Sequence, residues 1–380
     1  MIGDGTLTVA FRLMALPLLL SNINSIARAT MMRQLNFLRF GLYQIISYVL
    51  SNGIAGCVAL RGHTFYAIII AAVLNQLFLT ILLYSFKTFR PTLRIYKEEL
   101  SGIIVFGGWL TGSAIIRSIS EQLDKFILAR WMSVSALGAY NRPSGFISNI
   151  TSKIYGVFDV VLYPILSRIQ DEQDRMNRSY QLSVVLTSLF SCVLMSIFIL
   201  GSASIISIFF GSKWLNLVNV FQILSISIIA ISYCRIADVF FRSSGAVKQY
   251  FWNRVISCLF TVLSLYIGCR YGIIGASIAF TISKYIDMIV KIIMFRRIIS
   301  VNRSNLYKSL FNACLIPILI LLICYPLLRI GNIIAISLYI LILTLIILVK
   351  PSAFGNIFYE CVYNQYLKNI VCKFGFRKKY

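Results

Sequence analysis

Eleven stretches of about 20 mostly apolar residues, each long enough to cross a bilayer as a helix, follow one another along this 380-residue chain with only short connections between them. Backbone inside hydrocarbon must satisfy its own polar groups, so a chain of this kind folds as a helical bundle. The stretches run at about Leu7 to Ala27, Phe40 to Leu60, Phe65 to Phe86, Ser101 to Ala129, Pro143 to Leu166, Ser179 to Leu200, Trp214 to Cys234, Tyr250 to Cys269, Gly272 to Met294, Leu306 to Leu327 and Asn332 to Val349. They predict an all-α polytopic membrane protein with about 11 transmembrane helices and leave no room for a soluble domain.

The basic residues say which side is which. There are 36 Lys and Arg against 12 Asp and Glu, a net charge of +24 that in a soluble protein would suggest nucleic acid. Here 25 of the 36 fall in alternate connections, from Arg28, Arg33 and Arg39 through Arg235, Arg242, Lys248 and Arg254 and then Lys291 to Lys308, ending in the tail. The opposite side receives only Arg61, Arg130, Arg142, Lys213, Arg270 and Arg329. By the positive-inside rule the carboxyl terminus is predicted to be cytoplasmic and the amino terminus of this chain external. No nucleic-acid partner is predicted. The tail, 351–380, mixes aromatic and basic residues and reads as a segment held by anionic membrane lipids. The start, MIGDGTLT, has no basic n-region and is not a signal peptide. Nine scattered cysteines without a C-x-x-C pair, and a lone His63, predict no metal site.

One span breaks the apolar rule. SGIIVFGGWLTGSAIIRSISEQLDKFILAR, Ser101 to Arg130, carries Arg117, Glu121, Asp124 and Lys125 at i, i+4, i+7 and i+8, one helical face. A charge at bilayer depth costs roughly 2.5–3.5 kcal/mol on insertion scales, so four together need partners or water. Two readings stay open: a self-neutralising ladder, or a hydrated, net-positive lumen in which Lys153 of the next span joins Arg117 and Lys125. In the second, Glu121, Asp124 and Asp159 are internal counter-ions or proton carriers. Lys284 and Asp287, at i and i+3 on the ninth span, read as a local pair. The external connections are short and, Asp4 apart, free of acids, so no catalytic residue is assigned and the chain is not expected to be an enzyme. A P-loop is absent, which argues against an ATP-driven pump, and no cofactor is predicted.

An internal repeat organises the whole. Shifting the sequence by 209 places Arg39 on Lys248, Leu50 on Leu259, Arg61 on Arg270, Ala67 on Ala276 and Lys87 on Arg296. The shift spans six helices, an even number, so the repeat is parallel. Spans four to nine make one complete copy, and spans one to three match only spans seven to nine. Three helices are expected to be missing from the start. The predicted domains are a partial first lobe at 1–100, a complete six-helix second lobe at 101–298, a helix pair at 299–350 and the basic tail.

Four motifs carry a family resemblance. SEQLDKFILARWMSVSALGAYNR resembles the segment of polysaccharide repeat-unit flippases in which an Asp-containing helix leads to "LG-x-Y-x-R". VLYPILSRIQDEQDRMNRSY is similar to the family's "FPALSRLQDD" turn, ISIFFGSKWLNLVNVFQIL to its "LLFGEKW" segment, and YGIIGASIAF to its "WGLLGVALA" helix start. The chain so resembles the lipopolysaccharide or O-antigen flippases (Wzx/WzxC type) of the multidrug/oligosaccharidyl-lipid/polysaccharide exporter superfamily, over about Phe106 to Ala279. The resemblance implies a lipid II flippase-like fold of two six-helix bundles around a V-shaped cavity, plus a carboxyl-terminal pair, in the bacterial inner membrane. It implies movement of undecaprenyl-diphosphate-linked oligosaccharide between leaflets by alternating access, with polysaccharide polymerase and chain-length machinery as partners. Arg117, Lys125 and Lys153 are then the candidates for the diphosphate headgroup, with Arg12 from the other lobe. Family members have about 14 spans, and this chain starts at what resembles the fourth, as an amino-terminally truncated member would.

Three rivals remain. A non-transporting remnant or assembly partner fits the missing helices, a cation-coupled drug exporter would want acids in both lobes, and a membrane glycosyltransferase would want long external loops.

Overall fold

The computed structural model describes residues 4–62, 64–85, 97–295, 303–329 and 331–349, and every regular element among them is helical. Expectations for His63, for the connection at 86–96 and for the tail lie outside these residues. In chain order the α-helices are α1 (Asp4–Arg33), α2 (Phe37–Leu60), α3 (Thr64–Ser85), α4 (Lys97–Trp131), α5 (Val134–Arg168) and α6 (Gln173–Leu200). They continue with α7 (Ser202–Phe209), α8 (Val218–Ser243), α9 (Val247–Gly268), α10 (Gly272–Phe295), α11 (Arg303–Cys324) and α12 (Asn332–Val349). Apart from the eight-residue α7, these are eleven long helices, one for each expected span. Six segments, in α2, α3, α4, α5, α6 and α8, are long and apolar enough to cross a membrane on length and composition alone. Helix α10 carries Lys284, Asp287 and Lys291 in its interior.

Helices run past the apolar stretches that announce them. The fifth was expected to start at Pro143; it starts at Val134, where the Ser133 side chain caps it by accepting the Ala136 N–H at 3.2 Å. Pro143 and Pro164 both lie inside α5, tolerated where neighbours and hydroxyls replace the lost backbone bond. The polar run expected to be a loop before the sixth span is helical from Gln173. The Gly-bounded piece between the sixth and seventh spans is α7 followed by a 3-10 turn at Ser212–Leu217, and Gly211 makes the bend at φ +93°, which other residues rarely adopt.

The chain divides into two compact units, Met1–Lys97 and Glu98–Tyr380. In the first, α3 packs against both α1 and α2 around Ala27, Met31, Phe40, Tyr43 and Leu83. Among its polar ties, Asn24 Nδ2 donates to the Gln76 backbone oxygen at 3.3 Å and the Tyr84 hydroxyl to Ile23 O at 2.9 Å.

In the second unit α8 is the central post, packed against α5, α6 and α10, while α9 lies on α10 and α11 on α6. The apolar windows of α6 and α8 are 61% buried, that of α4 only 6%, so α4 lies at this unit's margin. Two apolar clusters meet along α8. Its first half joins Leu128, Tyr140 and Ile147 through Phe221, with the Phe146 ring against Phe198, Phe209, Phe210 and Phe221. Its second half joins Tyr180, Tyr250 and Phe295 through Phe240 and Phe241. Gly268 and Gly275 bring α9 and α10 together so closely that a Cβ on Gly268 would stand 2.4 Å from Ala279 Cβ.

The 209-residue offset is visible in the backbone. Offsetting α2 lands on 246–269, one residue beyond α9 at each end, and offsetting α3 lands on 273–294, one residue inside α10 at each end. The neighbours match as well, since α3 packs on α1 and α2 as α10 packs on α8 and α9.

A charged cavity in the second unit as candidate functional site

A cavity of about 390 Å³ opens among α4, α5, α8, α9 and α10. Helical spacing decides what α4 gives it: Arg117, Glu121, Asp124 and Lys125 all line the wall. The expected ladder is half formed. Arg117 Nε stands 3.8 Å from Glu121 Oε1, with the two side chains 44% and 57% exposed, whereas Lys125 Nζ donates to Gln122 Oε1 at 3.3 Å and makes no ion pair with Glu121. Asp124 accepts the Lys125 backbone N–H at 2.7 Å. From α5 come neutral polar groups, Ser144, Ser148, Asn149 and Thr151.

The other sequence candidates lie elsewhere. Lys153 is exposed and is not part of the lining. The reason is helical geometry: Thr151 faces inward, and two residues along a helix is a turn of about 200°. Asp159 accepts from Arg242 Nη2 at 2.5 Å, with that guanidinium 5.5 Å from the Tyr163 ring, a separate tie between α5 and α8. Arg12 sits exposed on α1 in the first unit.

The opposite wall holds what sequence reading missed. Asp238 of α8, 4% exposed, takes Lys291 Nζ on Oδ1 at 3.0 Å and the Arg254 guanidinium on Oδ2. Asp287 takes Lys291 Nζ on Oδ2 at 3.2 Å and the Ser257 hydroxyl on Oδ1. Lys291, fully buried, so bridges two carboxylates. The expected Lys284 pair with Asp287 is therefore replaced by Lys291 with Asp287, and Lys284 Nζ instead lies 4.7 Å from the centre of the Phe280 ring. Arg235, Arg254 and Lys291, assigned from sequence to a cytoplasmic connection, are helix residues in or beside the cavity. Two signals could have found them: Asp287 and Lys291 are an i,i+4 pair, and Arg254, Ser257 and Thr261 share one face of α9. Counting Arg254 and Lys291 with the cytoplasmic connections, although both lie inside the expected spans, hid both.

The lining carries five cations (Arg117, Lys125, Arg235, Arg254, Lys284) against four acids (Glu121, Asp124, Asp238, Asp287), among hydroxyls and amides. Such a wall can hold an anionic group within an apolar shell. Among the described residues no cluster of three or more His, Cys, Asp or Glu could hold a metal ion.

The whole chain is similar to known proteins. A family model described as "Polysaccharide biosynthesis protein" matches residues 1–219. The chain is 22% identical over 310 residues to the lipopolysaccharide biosynthesis protein WzxC of Escherichia coli K12, covering 79% of this chain and 62% of that one. It is 26% identical over 279 residues to a putative O-antigen transporter of Shigella flexneri, covering 70% and 65% respectively. The chain therefore spans less than two thirds of the length of these two relatives. In fold it is similar to the lipid II flippase MurJ in an inward closed conformation, with TM-score 0.54, 17% identity, and 83% of this chain and 66% of that one covered.

Proposed function

The chain belongs to the polysaccharide biosynthesis protein family, and on that premise we propose that it carries a lipid-linked oligosaccharide across the membrane through the cavity of its second unit. The observation that carries the reading is the net-cationic wall set among membrane-length helices. A diphosphate linker bears about two negative charges and needs Arg or Lys donors, whereas a prenyl tail can stay among apolar helix faces. Arg117 and Lys125 supply cations on α4; Lys153 and Arg12 would have to act outside this cavity. Glu121 and Asp124 then set the local charge, and Asp159 serves the α5–α8 tie. The role is transport, without a catalytic residue. The cell membrane of a bacterium is the expected location, with the carboxyl terminus cytoplasmic, the amino terminus external, and polysaccharide polymerase and chain-length machinery nearby.

The test is reconstitution of the full chain into phosphatidylethanolamine and phosphatidylglycerol vesicles holding a fluorescent undecaprenyl-diphosphate oligosaccharide. Faster loss of reagent-accessible label than in protein-free vesicles is expected. An unchanged rate overturns the reading.

A further inference from the structure

Helix α11 lies on α6, and where they touch two thiols meet: the Cys192 S–H donates to the Cys314 sulfur. Cys192 is fully buried and Cys314 half-buried. Around them α6 and α11 contribute to one apolar cluster, through Val185, Leu189, Ile320 and Leu321. A cysteine in such packing is ordinarily a small apolar residue, but a second thiol within hydrogen-bond reach on another helix opens a reaction to it, the formation of a disulfide.

The position of the pair decides which reagents reach it. Cys192 precedes the end of α6 at Leu200 by about 12 Å, and Cys314 precedes the end of α11 at Cys324 by about 15 Å. Both belong to apolar helix stretches. Cytosolic thiols stay reduced because glutathione and thioredoxin reach them, but a charged tripeptide or a protein cannot enter hydrocarbon without a large cost. A small uncharged oxidant such as hydrogen peroxide can. The half-buried Cys314 is the sulfur it meets first, and Cys192 stands behind it as the resolving thiol.

We propose that Cys314 and Cys192 are a peroxide-reactive dithiol inside the bilayer, whose oxidation bonds α11 to α6. In the first step the Cys314 sulfur attacks one oxygen of hydrogen peroxide, the O–O bond breaks, and the other oxygen leaves as water with the thiol proton, giving a sulfenic acid on Cys314. In the second the Cys192 sulfur attacks that sulfenic sulfur, the S–S bond forms, the S–O bond breaks, and the hydroxyl leaves as water with the Cys192 proton. The dithiol loses two electrons and the peroxide is reduced to two waters. The bond then joins the α11–α12 pair covalently to the helices that wall the cavity, and it persists in a reducing cytoplasm because glutathione does not reach it. The proposal is independent of the transport reading.

The test is treatment of the full chain in phosphatidylethanolamine and phosphatidylglycerol vesicles with hydrogen peroxide, followed by non-reducing digestion and mass spectrometry. A Cys192–Cys314 disulfide is expected, with a raised thermal midpoint after extraction into detergent; dithiothreitol, small and uncharged, should reverse both, and glutathione should reverse neither. Cys192→Ser should lose the cross-link and leave a sulfenic acid on Cys314 that dimedone traps. Cys314→Ser should lose it and leave Cys192 unlabelled. Cys57→Ser, at an exposed position on α2, should keep it. Cys192 and Cys314 remaining thiols while Cys57 is oxidised, or either sulfur bonded to a different cysteine, overturns the proposal, and the wild-type digest alone decides this if a variant fails to fold. Dimedone labelling of Cys192 in Cys314→Ser overturns the order of the two steps, and reduction by glutathione as fast as by dithiothreitol overturns the shielding.

Discussion

Helices α1–α3 and α8–α10 are two versions of one arrangement, and they differ in what they bury. The third helix packs on the first two in each, and in each a tyrosine hydroxyl on that helix reaches a backbone carbonyl of the first, Tyr84 to Ile23 and Tyr285 to Ile226. At the positions that correspond to Asp238, Arg254, Asp287 and Lys291, offset by 209, the first set has Ala29, Ile45, Phe78 and Leu82. Leu82 packs against an apolar cluster of Met31, Phe40 and Leu83, where its counterpart Lys291 bridges two carboxylates. The helix arrangement therefore does not require the ions. Buried ion pairs are weak contributors to stability compared with apolar packing of the same volume, so the first set shows the cheaper way of filling the same positions.

The comparison can be broken most forcefully at Asp238. Asp238→Ala leaves Arg254 and Lys291 short of an acid and should cost about 3–5 kcal/mol, measured by denaturation of the detergent-purified chain. Exchanging all four residues for the α1–α3 set (Asp238→Ala, Arg254→Ile, Asp287→Phe, Lys291→Leu) should recover most of that loss while abolishing transport. If the quadruple variant is less stable than the single one, the two helix sets are not equivalent hosts.

The next effect concerns the close approach of α9 and α10, which the first set lacks, having Ala59 and Tyr66 where Gly268 and Gly275 stand. Gly268→Ala would press a Cβ to 2.7 Å from Gly275 O, at a cost of roughly 1–3 kcal/mol in the same assay, whereas Ala59→Gly in α2 should cost no more than about 1 kcal/mol. Ser257→Ala removes one donor from Asp287 and should cost about 1–2 kcal/mol, without altering the equivalent Tyr48 region. Smallest is Arg117→Ala. Its 3.8 Å pair with Glu121 is largely exposed, so stability should move by less than about 0.5 kcal/mol, and any fall in transport then reports on the cavity alone.

Much of this was legible in the chain. Apolar length announced all eleven long helices, because a membrane helix has to hide its backbone over about 20 residues whatever surrounds it. Helical spacing placed Arg117, Glu121, Asp124 and Lys125 on one wall, since those four belong to a single rigid element. Lys153 was misjudged because a neighbouring span says nothing about which way its residue faces, and Thr151 takes the inward position. Arg235, Arg254 and Lys291 were misjudged because a charge near the end of an apolar run looks like a loop residue, and only a facing acid on another helix makes burial affordable.

The sequence by itself determined the number of helices, their offset repeat and the charged face of α4, all properties of local length and period. Tertiary structure alone decided that Asp238 is shared between Arg254 and Lys291, that Asp287 pairs forward with Lys291, and that the Lys284 ammonium sits over the Phe280 ring. The physical reason is that ion pairing between helices depends on their relative rotation and approach, which Gly268, Gly275 and the α8 packing set and no single helix records.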